Sequence, residues 1–216
     1  MGCLGSSNTP NLAAGELGLL LKDKTEDQKK VIKYFLTDSG CLSIIGIGKN
    51  ISDDEYERMV FSKRNSIDFR AGAIDKIGLD EDQIKEIPPA RLEGYRFENS
   101  WAKRTKTGGW VSSSYQVSWL FFSATQVYVY YYIFHMDDDD TSENTDEFFY
   151  KDVTSLSTSS KTETARGAGD KKFEVQTNMF KMVVPGDQVF VPMEGVKDSD
   201  AIIQAMKAKL REKKME

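Results

Sequence analysis

WVSSSYQVSWLFF (residues 110–122), a turn at Ser123-Ala124-Thr125, then VYVYYYIFHM (residues 127–136): this stretch decides the fold. In its first half Tyr115, Val117, Trp119 and Phe121 alternate with Gln116, Ser118 and Phe122, the period of a β-strand. Its second half is apolar or aromatic at almost every position, as in a central strand covered on both faces. A hairpin this rich in aromatic side chains predicts a small, curved antiparallel sheet.

Upstream the period is helical. Thr25-Glu26-Asp27-Gln28 has the form of a capping box, and Val31, Ile32, Phe35 and Leu36 follow on one face. Ser52-Asp53-Asp54-Glu55 is a second box, with Ile51 and Tyr56 placed as a hydrophobic staple. That pattern continues to Ile77 and stops at Gly78; Asp80 opens a last short helix, which Pro88 and Pro89 terminate. Residues 1–24 are rich in small side chains and read as flexible, residues 25–87 as helical, and residues 88–216 as the β-rich unit.

From Ala90 the alternation predicts six strands, over 91–98, 110–122, 127–136, 146–157, 172–184 and 187–193. After Gly195 an amphipathic helix closes the chain. Ile202, Ile203, Met206 and Leu210 form its apolar stripe, and lysines crowd its C-terminal end, where the helix dipole favours cations. Strands followed by one covering helix predict an α+β fold, an antiparallel barrel with its open end closed by that helix.

This order resembles a pleckstrin-homology (PH) domain. The likeness covers residues 90–214 and is carried by Gln116 to Phe122, Phe149 to Val153, Val183 to Asp187 and the Ala201 to Lys214 helix. The chain looks like a bacterial family of PH-like proteins in which helices precede the barrel. A PH barrel has one strand more than alternation displays here. The missing strand is expected from dividing 146–164 or from the 89–110 region. The resemblance implies a binding module, not an enzyme, and no cofactor.

Composition narrows the partners. The 216 residues carry a net charge of −5, with 29% charged and 39% hydrophobic side chains. An acidic chain argues against a general nucleic-acid binder. Cys3 and Cys41 cannot build a disulfide framework or a Cys-rich metal centre, and the reading is cytoplasmic. Met1-Gly2-Cys3-Leu4-Gly5-Ser6 fits the myristoylation pattern, with Cys3 placed for a second acyl chain.

Chemistry-bearing motifs are few. His135 is the one histidine and lacks a nucleophile elbow, so it reads as a half-buried strand-end residue. Gly46-Ile47-Gly48-Lys49 fits neither phosphate-binding loop pattern and reads as a turn. Asp137 to Asp140, extended by Glu143, Asp146 and Glu147, lacks the glycine of an EF-hand loop and reads as a solvated hairpin loop; no metal site is expected.

Lys103-Arg104-Thr105-Lys106 is the strongest binding motif. In a PH fold it joins the first two strands, where related domains hold phosphorylated headgroups with several cations and loop amides. Arg91 and Arg96 on the preceding strand would add charge, and Trp101 and Trp110 flank the loop as candidate contacts. Binding domains also place a basic residue on the second strand, and Trp110 to Phe122 has none. The leading expectation is therefore a protein or peptide partner, a second copy of the chain included. An anionic membrane surface bound through 101–110 is the alternative.

Overall fold

The computed structural model describes residues 14–36, 50–79, 82, 88–168, 171–194 and 199–215. Gly2, Cys3, Cys41, the 46–49 turn and, Asp82 apart, the short helix expected after Gly78 lie outside the described residues.

Both capping boxes form. Helix α2 (Glu26–Leu36) is capped by Thr25, whose hydroxyl accepts from the Gln28 amide at 3.2 Å while the Gln28 side chain accepts from the Thr25 amide at 2.9 Å. Helix α3 (Asp53–Asn65) starts at Ser52, which accepts from the Glu55 amide. Ile51 and Tyr56, the staple pair, are both buried. Helix α4 (Phe69–Ile77) ends at Gly78, whose φ of 73° is the left-handed conformation a glycine adopts without strain. A further helix, α1 (Ala14–Leu21), lies within the segment that composition reads as flexible.

Nine strands follow among the described residues. A four-stranded antiparallel sheet runs in the order β1 (Ala90–Arg96), β4 (Ser114–Phe122), β5 (Gln126–His135), β6 (Thr141–Phe149). A three-stranded sheet holds β7 (Ser155–Arg166), β8 (Lys172–Val184) and β9 (Asp187–Pro192). Strands β2 (Ala102–Arg104) and β3 (Trp110–Ser112) form a separate ribbon. Helix α5 (Ser199–Met215) closes the chain and lies against β7 and the short turn at Tyr150–Asp152.

The architecture is α+β with antiparallel sheets, and neither sheet closes on itself. Among the described residues no sheet closes into the expected barrel: β1 comes against β9 but shares no ladder with it. Two strand assignments change as well. The expected 110–122 strand divides at Ser113, and the expected 146–157 strand is the end of β6, a turn and the start of β7. Thr141 to Glu147, read as loop, is strand.

Strands β4 and β5 of the first sheet are covered on both faces. Tyr115, Val117 and Phe121 of β4 and Tyr130 and Phe134 of β5 join one core with Val31, Tyr34 and Phe35 of α2, Tyr56 and Val60 of α3, and Phe69 and Ala73 of α4. The Phe69 ring meets Tyr132 edge-on at 5.2 Å. On the opposite face Leu120, Phe122, Val127 and Val129 pack with Phe180, Met182, Val189 and Val191 of the second sheet and with Ile203, Met206 and Leu210 of α5. Among the described residues no helix is long and apolar enough to cross a membrane.

Candidate functional site

The basic and aromatic residues singled out from the sequence do not converge. Lys103 lies over the Tyr34 ring at 4.2 Å and donates to the Tyr34 carbonyl, so α2 holds it. Arg104 is exposed, its Nε donating to the Gly108 carbonyl across the β2–β3 turn. Lys106 is exposed too, and its backbone amide is fixed by Asp53 at 2.8 Å. Trp101 and Trp110 are half-buried against the helix-side core, with the Trp110 ring 5.1 Å from Phe173 of β8.

Arg91 and Arg96 are paired within the fold and do not add charge to the loop. Arg91 pairs with Glu93, which also takes Arg64 of α3. Arg96 donates to Gln116 at 2.7 Å and faces Glu163 at 3.7 Å and Glu98 at 3.6 Å. A guanidinium on a strand reads as a ligand-seeking charge until its carboxylate partner, remote in sequence, is in place.

That partner, Glu163, is the polar centre of the molecule. Its side chain is 0% exposed, yet both oxygens are used: Oε2 accepts from the Phe97 amide at 2.9 Å, and Oε1 faces Arg96 and Lys161. A buried carboxylate is tolerated when amides and cations surround it in this way. Gln116 and Ser118 join the network from the polar face of β4, bonded to each other at 2.8 Å. The alternating Thr-Glu-Thr of β7 carries no signal that would mark Glu163 as buried.

Glu194, beyond β9, is a half-buried acid. Burial pushes its carboxyl up to about 7; the Tyr95 amide opposes this and nearby Glu163 adds to it. The folded value lies above the ordinary 4.5, so folding favours the protonated form. Its contribution to stability is complete below about pH 4.5 and is lost as pH rises through about 7. Glu194→Gln is therefore expected to flatten the fall in melting temperature across that window. The variant should be more stable than the parent at pH 8, by at most about 3 kcal/mol. Thermal unfolding at a series of pH values checks this; an unchanged slope contradicts it.

The strand edges form the remaining candidate site. Strand β6 is one edge of its sheet and β7 one edge of the other; the opposite edges, β1 and β9, come against each other. At its far end β7 is covered: the Asn99 amide bonds to the Thr164 carbonyl and the Arg166 amide to the Ser100 carbonyl. From Ser155 to Glu163 its ladder partner among the described residues is β8 alone.

Comparisons with protein-family models, with curated proteins and with solved structures find no match to this chain.

Proposed function

We propose that the chain is a non-enzymatic binding module with a PH-like fold, whose partner is an extended polypeptide segment laid along the free edge of β7. The order of a four-stranded sheet, a three-stranded sheet and a closing helix supports the PH-like reading. So does the shared core between the sheets and α5. The pinning of Glu163 by Arg96, Lys161 and a backbone amide supports a structural role for the buried charge.

The observation that carries the reading is the contrast between the two edges. β6 bears Glu143, Asp146 and Glu147, the charges that discourage another strand from pairing. β7 begins Ser155-Leu156-Ser157-Thr158-Ser159-Ser160, with neither charge nor proline. An unguarded edge of that length offers main-chain donors and acceptors to an incoming strand, and helix α5 beside it supplies a wall. A second copy of the chain meets the same description, and light scattering across concentration distinguishes it from another protein.

The test is Thr158→Lys/Ser160→Lys, which places charge on exposed positions of β7. The full-length variant is expected to keep its melting temperature and to lose the polypeptide captured from the native cell by a photo-reactive residue at Ser157. Capture at parental level refutes the edge. So does capture that is lost only when the exposed β6 residues are changed. The anionic-surface reading retains Arg104 and Lys106 as its exposed cations. Salt-sensitive binding to anionic vesicles, abolished by Arg104→Ala/Lys106→Ala, would favour it instead.

A further inference from the structure

The bend between β5 and β6 gathers three side chains with metal-ligating atoms, of which Asp138 also accepts the Asp140 backbone amide on its Oδ1 at 2.9 Å. His135 ends β5, and Asp137 and Asp138 follow in the bend. One imidazole nitrogen and one oxygen from each carboxylate lie within 4.8 Å of one another, and all three side chains are half-buried. In a continuing strand, residues two apart share a face and the third does not. Here the chain turns after Met136, whose amide is tied to the Ser113 carbonyl at 2.8 Å, and the turn brings Asp138 to the other two.

A separate observation points to a ligand. Oδ1 of Asp137 is closed off from solvent and has no hydrogen-bond partner among the described residues. Lys63 reaches this corner from α3 but gives its ammonium to the His135 carbonyl oxygen at 2.7 Å, not to a carboxylate. A shielded carboxylate oxygen beside a second carboxylate and an imidazole is the environment a cation relieves.

We propose that His135, Asp137 and Asp138 bind a divalent transition-metal ion of the zinc class. One imidazole and two carboxylates suit zinc, manganese or cobalt rather than calcium, which takes oxygen ligands in larger number. Bonds of about 2.0–2.2 Å in a tetrahedron set ligand atoms about 3.4 Å apart, so the donors must draw in by up to about 1.4 Å. Side-chain rotation in a turn covers that distance. Asp139 stands outside the ligand set, its Oδ1 accepting from the Gln28 side chain at 2.8 Å and so tying the bend to α2.

The test titrates the chelator-treated full chain with Zn²⁺ by calorimetry and with Co²⁺ by visible absorption. One ion per chain is expected, with a cobalt spectrum lacking thiolate charge-transfer bands, which separates this site from Cys3 and Cys41. Removing a hydrogen-bond partner of a metal-bound histidine alone weakens binding about 10–100-fold. His135→Ala and Asp138→Ala, each losing a ligand, are expected to weaken binding by at least that much, with circular dichroism unchanged. Asp137→Asn should abolish binding yet raise the melting temperature of the metal-free protein, because it removes the shielded charge. No binding at millimolar zinc, or binding that survives Asp138→Ala, overturns the site.

Discussion

Tyr56→Ala is expected to lower the unfolding free energy by about 3–5 kcal/mol, the range for deleting a large buried side chain and leaving a cavity. Tyr56 is 0% exposed and sits where α3 meets the sheet. Its ring stacks on Tyr34 at 4.8 Å and meets Phe35 edge-on at 5.1 Å, linking α2 to α3. Its hydroxyl donates to the Ser112 carbonyl, which satisfies a backbone group at the end of β3. Alanine removes all three contacts at once. Phenylalanine removes the hydrogen bond alone and should cost about 1–2 kcal/mol. Urea unfolding of both variants measures this. A loss below about 1 kcal/mol for alanine would mean that the helices do not rest on the aromatic face.

Gly94→Val is the second large effect, and it acts on the contact between the sheets. Gly94 lies in β1 where that strand passes β9. A Cβ at this position would stand 2.9 Å from the Pro192 Cβ and 3.2 Å from the Glu194 backbone nitrogen. A proline ring and a main-chain atom cannot rotate aside, so the strands must separate. Overpacking of a close contact costs about 1–3 kcal/mol for small additions. Alanine should fall in that range, and branched valine at its upper end or beyond. Both variants should show lower melting temperatures, with slower amide exchange retained in α3 and lost first in β9. A neutral Gly94→Ala would show that β1 and β9 are not in contact.

How legible was this fold? The capping residues Thr25 and Ser52 and the staple Ile51–Tyr56 act locally, through groups a few residues apart, and these helices start where the sequence places them. The two aromatic strands and the terminal helix also follow from their own periods. The divisions between strands do not, because they depend on partners remote in sequence. Ser113 breaks the 110–122 stretch because its amide bonds to the Trp101 carbonyl at 2.9 Å and its hydroxyl accepts from the Trp101 amide. Nothing in Ser112-Ser113-Ser114 marks the middle serine. Phe149-Tyr150 continues an apolar pattern, yet the Tyr150 amide bonds to the Thr125 carbonyl and the chain turns there.

Charge misleads in two directions at the candidate sites. The acids of 141–147 read as loop because carboxylates need water, but an edge strand with an exposed face provides it. Arg91 and Arg96 read as binding residues because guanidinium groups seek anions, and they find them in Glu93 and Glu163. The buried face of Gln116 and Ser118 was beyond reach for the same reason: alternation separates the faces of a strand without saying what covers each. The β7 edge is legible only when β6 and β8 are known, since an unpaired edge is a property of the sheet.

Hydrogen–deuterium exchange on the full-length chain tests the open β7 edge most directly. Amides of β4 and β5, paired on both sides and buried on both faces, should exchange slowest, at the rate of global unfolding. Within Ser155–Thr162 alternate amides should exchange within seconds, and addition of the captured polypeptide should slow that segment while leaving β6 unchanged. Uniform strong protection of 155–162 in the isolated monomer, or partner-induced protection confined to β6, would contradict the account.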